Sequence, residues 1–511
     1  MSTTLIAGIE NASKSVARSA GLAREDQGRP ALGLWVQLVY GAGEIPNAVK
    51  TIAFGLFTLY FYTTVLGLSG TLVGIASAIG LLWDAAIDPY IGYVSDRSRV
   101  RFGRRHTFML AGALTMGATF WAFFHPPAGL STTGLFVWLL VTSLLVRTAT
   151  SVYGIPYFAL GAELSSDYQE RTSITGIRGA MALVGTLTAA SLAFVVFFPD
   201  ATPGVDPKLN RDGYAQMGLV FGVLMTLLGV LVTWHTLPWR RVPPAPSAGC
   251  TAHPPASFVA SFVQSMANRS FRALFASYSL FFLAMVINSA LSIHYLTHYA
   301  KVTASTALSS FQLAFYLGAL VGVAVWFLAS LRIEKQRLYL LALFCVAGVM
   351  LMAVFLVGEG RWLGAGNIRA VAIGHGLGGF FGSVLWFIPG SMIADVADED
   401  ELTTGARREG AFFGLFYFGQ QIAAGVSLLA AGALVEGYAG LQPGQSDPSP
   451  LTVSRMGVLY GILPALLVSL AAVPVLRYSL TRSRVHSIQA ELSALRGSAS
   501  GPSARGAHHG G

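Results

Sequence analysis

Apolar residues in this chain neither alternate nor gather in narrow stripes. They run in long blocks, apolar all round, separated by short polar turns. A helix needs about 20 such residues to cross the hydrocarbon of a bilayer. Twelve blocks are long enough, at roughly 34–65, 69–95, 106–125, 133–161, 174–198, 214–237, 271–299, 304–331, 337–357, 367–395, 409–436 and 452–478. They predict an all-α membrane protein with twelve transmembrane helices.

The polar punctuation divides the chain. Residues 1–33 are polar and mixed, with Lys14, Arg18, Arg24 and Arg29, and predict a lead with no cleavable signal peptide. Residues 238–270 form the only long interior break. Pro243-Pro244-Ala245-Pro246 and Pro254-Pro255 suggest a flexible linker. It separates two six-helix bundles, 34–237 and 271–480. Residues 481–511 end in a Gly/Ser/Ala/His-rich stretch and predict a disordered tail. The turn after the second block carries Arg97, Arg99, Arg101, Arg104 and Arg105, and the turn after the eighth carries Arg332, Lys335 and Arg337. The linker adds Arg240, Arg241 and Arg269. The opposite side is poorer in cations: the turn after the third block has none, and the one after the seventh has Lys301 alone. The positive-inside rule then places both termini, the linker and the tail in the cytoplasm, with the helices crossing an inner (plasma) membrane many times.

Charged residues make up only 11% of the sequence, against about 25% in soluble domains. One soluble core stops growing at roughly 250–300 residues, so lipid has to solvate much of the surface. The net charge of +9 sits in short turns and fits lipid head groups and topology; no nucleic-acid partner is expected. Cys250 and Cys345 stand in contexts too different for a disulfide framework. There is no Gly-Lys-Ser/Thr phosphate loop, so ATP is not the expected energy source. No enzyme motif, cofactor site or metal cluster is evident.

Charges inside the blocks carry the candidate chemistry, because ionisable groups at membrane depth are expensive and mark functional sites. Asp84 and Asp88 are four apart on one helix face. Paired carboxylates suit either coupling cation: their oxygens fit sodium, and like charges close together favour holding a proton. The first block has a polar stripe of Glu44, Asn47 and Lys50, with Pro46 inside it. Lys50 is the expected counter-charge to Asp84 or Asp88. Arg147 shares a face with Ser151 and Gly154, and its fork can grip paired hydroxyls, carboxylates or phosphates. Tyr153, Trp386, Tyr417, Gln420 and Gln421 offer the aromatic faces and amides that sugar sites use. His375, set among glycines, reads as a packed histidine before a proton relay. At the basic side, Asp96, Arg97, Arg105, Glu163, Asp395 and Glu401 are the expected gating charges, pairing when that side closes and separating when it opens.

Four stretches in matching order resemble the glycoside–pentoside–hexuronide:cation symporter family, of the melibiose permease-like kind. They are Phe61-Tyr62-Thr63-Thr64-Val65-Leu66-Gly67-Leu68, Trp83-Asp84 through Asp88-Pro89, Ile155-Pro156-Tyr157 with Ala162-Glu163-Leu164, and Met392-Ile393-Ala394-Asp395 through Asp398 to Glu401. Gly92, Asp96, Arg97, Gly103, Arg104 and Arg105 are similar to the general major facilitator signature. The resemblance implies the major facilitator fold, a cation site on Asp84 and Asp88, sugar contacts from Arg178 and Trp386, and a hydroxyl role for Ser151. It also marks departures. Gly154 stands where melibiose permease has an acid, Gln421 replaces a lysine, Asn47 and Ala48 replace a Lys-Asp pair, and Leu81 replaces an arginine. The galactoside-clamping acid is absent. The expectation is a secondary transporter moving a glycoside, pentose, hexose or uronide with H+ or Na+ by alternating access. A lysolipid or other amphiphile transporter of the same superfamily, or a transport-inactive sensor, are the alternatives.

Overall fold

The computed structural model describes residues 33–98, 100, 102–164, 168–200, 206–239, 258–405 and 408–499, without the side chains of Asp96, Arg97 and Glu163 among others. Twelve spans are present: α1 (Leu34–Val65), α2 (Gly70–Ser95), α3 (His106–Phe124), α4 (Thr132–Gly161), α5 (Ser173–Phe197), α6 (Arg211–Trp239), α7 (Arg269–Tyr299), α8 (Ser305–Ser330), α9 (Lys335–Phe355), α10 (Ile368–Thr404), α11 (Ala411–Gly437) and α12 (Pro450–Val475). No strand occurs among the described residues. The chain is a multi-pass membrane protein. Lipid-facing rows are plain on α6, where Leu219, Val223, Leu227 and Leu231 are exposed at four-residue spacing. Water would not tolerate such a row, and hydrocarbon does.

Each half packs mainly on itself, α3 on α6 and α2 on α4 in the first, α8 on α10 and α7 on α12 in the second. The halves meet through α2 with α11, α1 with α7 and α5 with α8. Of the two faces of the bundle, one carries the described chain ends and is termed the terminal face; the other is the distal face. The contacts between halves gather at the distal face. Ser69 Oγ, Thr71 N and Thr71 Oγ1 all donate to Glu436 Oε2, at 2.6, 3.0 and 2.8 Å. Ser305 N donates to Asp200 Oδ1 (2.9 Å), and Ser309 Oγ to the Ser191 carbonyl (2.6 Å). One buried apolar cluster follows the same path, from Tyr60 and Phe124 in the first half to Tyr295, Ala307 and Val435 in the second. A second cluster, around Phe271, Tyr339, Val396 and Phe412, stays within the second half.

An internal repeat shows in the backbone. α1 and α7 both end in a π-helical turn, Phe61–Val65 and Tyr295–Tyr299. The Leu66 amide donates to Phe61 and the Leu68 amide to Tyr62; Ala300 donates to Tyr295 and Val302 to Leu296 in the same pattern. Tyr60 and His294, which precede the two turns, are therefore repeat mates. α1 is also interrupted at Gly43–Glu44, with Pro46 in the first turn of the helix that resumes, as its proline suggested. α10 breaks at Ser383.

Two expectations require correction. The linker 238–270 is not flexible throughout, because Phe258–Ala267 is a helix lying against α7 and α11. Its prolines end at Pro255, and Asn268 then caps α7 by accepting from the Phe271 amide at 2.8 Å. The tail is likewise ordered at first: Arg482–Ala499 is a helix docked on α10. Val485, Ile488 and Leu492 recur at three- and four-residue spacing and face the second cluster, so a polar segment still buries one apolar stripe. Residues 1–32, 240–257 and 500–511, including Cys250, lie outside the described residues.

Small residues set how closely helices approach. Gly379 of α10 lies so near the backbone of Phe315 and Ala319 on α8 that a Cβ there meets both, whereas Gly374 on the same helix faces open space. Gly379→Leu is expected to cost about 1–3 kcal/mol through overpacking and to lower the apparent Tm in detergent. Gly374→Ala should leave it near wild type. Equal melting of the two variants would contradict this packing.

Candidate functional site

Between the halves lies a cavity of about 600 Å³. The first half supplies all four of its charged groups: Lys50 from α1, Asp84 and Asp88 from α2, and Arg147 from α4. The second half faces them with Ser289, Gln312, Tyr316, Tyr417, Gln420 and Gln421. With every group ionised, the two carboxylates and two cations balance. One wall is thus salt-like and overall neutral; the other carries amides and hydroxyls among apolar residues such as Phe282 and Met285.

Arg147 and Asp84 are both buried and form an ion pair between α4 and α2. Gly80, one helical turn before Asp84, makes room for it: a Cβ there would fall 2.6 Å from Arg147 Nε. Arg147 Nε also donates to Ser143 Oγ (3.4 Å), and its guanidinium lies 5.5 Å from the Phe54 ring centre. Trp83 Nε1 donates to Thr148 Oγ1 (2.8 Å) and ties α2 to α4 beside the pair. Asp84 Oδ1 and Asp88 Oδ1 have no hydrogen-bond partner. Ser151 stands beside Asp88, and Lys50 lies near both acids without an ion pair shorter than 4 Å. Two buried carboxylate oxygens therefore remain free to accept a proton or ligate a hard cation.

The expectation that Lys50 is the direct counter-charge is corrected: Arg147 holds Asp84, because the glycine on α2 lets the longer fork in. The Arg147 side chain is itself buried. Asn47, Lys50, Asp84, Asp88, Arg147, Ser151 and Gln421 all line the cavity.

Arg178, Tyr153 and Trp386 do not line it. Arg178 pairs with Glu44 (3.4 Å) and lies 5.1 Å from the Phe158 ring centre. Asn47 Nδ2 donates to Glu44 Oε1 at 3.1 Å and links this pair to the cavity wall. Tyr153 is buried and stacks on Tyr157, which exchanges hydroxyl-to-carbonyl bonds with Tyr40, both 2.9 Å. Trp386 is half exposed, with its ring 6.1 Å from Phe315. His375 is packed, its Nδ1 on the Val371 carbonyl and its ring stacked on Phe311.

At the terminal face, several described charges have partners within their own half. Arg105 Nη1 donates to Ser95 Oγ (3.0 Å) and Lys335 Nζ to Asp395 Oδ2 (2.6 Å). Arg408 grips Asp400 with two bonds of 2.9 and 2.7 Å. Glu401 is half-buried at the end of α10. The side chains of Asp96, Arg97 and Glu163 lie outside the described ones. Gln312, Tyr316 and Ser289 were not anticipated. Gln312 could have been found as the one side-chain amide in α8.

Twelve spans in two bundles around a central cavity that holds four charged groups define a secondary transporter of the facilitator fold. The solved D-xylose-proton symporter shares that fold, with a TM-score of 0.61 at 13% identity over 87% of this chain and 97% of that one. The chain matches the family described as MFS/sugar transport protein over residues 39–482 and belongs to it, among facilitators like the glycoside–pentoside–hexuronide:cation symporters. An uncharacterised symporter of Synechocystis sp. is 24% identical, over 90% of this chain and 96% of its own. The sodium-dependent lysophosphatidylcholine symporter 1 of Gallus gallus is also 24% identical, over 84% of each chain. A transporter acting on a small molecule, and not an enzyme, accounts for all of these findings.

Removing one partner of a buried ion pair strands the other charge, at about 3–5 kcal/mol. Asp84→Asn and Arg147→Gln are each expected to lower the apparent Tm markedly. The double variant should melt closer to wild type than either single one. Additive losses would show that the pair is not coupled.

Proposed function

We propose that this protein is a sugar:cation symporter of the plasma membrane, with both termini cytoplasmic, working by alternating access. The observation that carries this reading is the cavity's division of labour: a charge-balanced wall of Lys50, Asp84, Asp88 and Arg147 faces a wall that carries amides and hydroxyls. A net-neutral, hydrogen-bonding site suits an uncharged polyol, whose hydroxyls match Gln312, Gln420, Gln421 and the Arg147 fork. The paired acids of α2 supply the cation site. Asp88, with no ion pair of its own, receives H+ or Na+ first. The added charge then competes for Asp84 and loosens its hold on Arg147, which frees guanidinium donors for substrate. Substrate and cation thus stabilise one another's site, which is the thermodynamic content of coupling. With the distal face sealed, the state described is the inward-facing one. Trp386 and Arg178, set away from this cavity, serve states in which α10 and α5 have moved.

A second reading has its own observation. Ile52, Phe54, Leu56, Phe282, Met285 and Val286 also line the cavity, and one relative is a lysophosphatidylcholine symporter. An amphiphile would lay its chain there and its phosphate on Arg147.

Proteoliposomes separate the readings. Sugar-evoked entry of H+ or Na+ is expected with wild type when mixed pentoses, hexoses and glycosides are supplied. Asp88→Asn should abolish the cation current while sugar counterflow persists. Sugar uptake without any cation movement would leave a uniporter. Uptake of lysophosphatidylcholine, with no sugar response, would replace the sugar reading by the lipid one.

A further inference from the structure

The distal seal contains two histidines that the transport cycle described above does not use. His294 and His298 lie one turn apart at the end of α7, 1% and 7% exposed. Both ring nitrogens of His294, and Nε2 of His298, lack a hydrogen-bond partner. Buried polar groups without partners are rare and costly, and here they stand on the surface where the halves meet. The His294 ring packs on its repeat mate Tyr60 with centroids 5.1 Å apart. Tyr60 donates to Asp206 Oδ2 (3.3 Å), and Lys208 Nζ reaches Asp206 Oδ1 (2.7 Å) and crosses to the Thr303 carbonyl (3.0 Å).

The charged and titratable neighbours are Tyr60 from α1, Asp206 and Lys208 from the α5–α6 loop, and Asp447 from the α11–α12 loop, with each histidine facing the other. Asp206 is already engaged by Lys208 and Tyr60. Asp200 is taken up by Ser305 and Thr306 of α8. Asp447 is exposed. Burial pushes the Lys208 ammonium below its ordinary value, against the pull of Asp206 and Asp200, so the seal is already short of solvation for one cation. A proton added to either histidine puts a second positive charge in the same dry interface. Parting of the halves lets water reach the rings and removes that cost.

We propose that His294 and His298 form a proton-binding site at the distal seal, and that protonation there unlocks the seal. Proton uptake and opening are then linked: the state that solvates the imidazolium gains population as pH falls. The ligand is the proton itself, taken from the aqueous phase on the distal side, at a site separate from Asp84 and Asp88. The inference rests on the alternating-access reading but not on which substrate is carried.

The test uses the full chain in nanodiscs, where both faces see one pH. Cys250 and Cys345 are replaced by serine, and spin labels are placed at Leu130→Cys and Trp362→Cys, exposed positions in distal loops of opposite halves. Pulsed dipolar spectroscopy should give one short distance at pH 8 and a longer one whose fraction rises roughly tenfold by pH 5. The rise should vanish in His294→Gln/His298→Gln and persist in Asp88→Asn. Should the double histidine variant not fold, each single variant is expected to show a smaller rise. A distribution unchanged from pH 8 to pH 5, or a rise that survives loss of the histidines, would overturn the proposal. Loss of the rise in Asp88→Asn would place the responsive proton in the central cavity, and also overturn it. Symport failing in proteoliposomes while the distance change persists would defeat the coupling scheme and leave this site standing.

Discussion

The ion pair of Asp84 and Arg147 is the interaction on which the central site depends. Neither charge could stay ionised alone between two helices in hydrocarbon, since the desolvation of a lone buried ion far exceeds what one packing contact returns. Held together, they cross-link α2 to α4 and fix the depth at which the first half presents its polar groups. Their second consequence is a residue of unmet valence: an oxygen of Asp84 and one of Asp88 remain open at the cavity wall. A site that satisfies most of its own charge yet leaves two acceptors unfilled can take up a small cation without a large rearrangement.

The two ends of the molecule solve different problems. At the distal face the halves are joined by hydrogen bonds, small-residue contacts and rings, with Glu436 of α11 capping the amino end of α2. At the terminal face, Arg105 with Ser95, Lys335 with Asp395 and Arg408 with Asp400 are each satisfied inside one half, so separation there leaves these three contacts intact. This asymmetry suits a two-state bundle, because the bonds to be exchanged at one end are few, directional and accessible to competition by water. Tyr60 and His294 occupy equivalent places in the two halves and meet at the seal, so the junction is nearly self-complementary in shape while differing in chemistry.

Much of this arrangement is legible in the sequence. The twelve spans follow from block length alone, and Asp84, Asp88 and Arg147 stand out because charge at that depth has few innocent explanations. The pairing of Arg147 in preference to Lys50 was not legible. It depends on helix register and on the absent side chain of Gly80, and a glycine among apolar residues carries no such message by itself. That Arg178 and Trp386 stand outside this cavity was not legible for a related reason. Their chemistry suits a sugar, yet which face of α5 or α10 turns toward the cavity is decided by tertiary packing. The helix at 482–499 hid behind its polar composition, because three apolar residues at the right spacing outweigh many charges when a hydrophobic groove lies beside them.

The π-helical turns closing α1 and α7 carry one further consequence. Such a turn holds an extra residue relative to the α-helix around it, and one residue corresponds to about 100° of rotation. The segment of α1 that bears Asn47 and Lys50 and the chain that leaves it after Val65 are therefore aimed independently. Loss of a single residue from either turn would leave the span long enough for the bilayer while rotating everything past it out of alignment with its repeat mate. The symmetry of the bundle is thus written in chain length as well as in side chains, and the two rods have to change together or not at all.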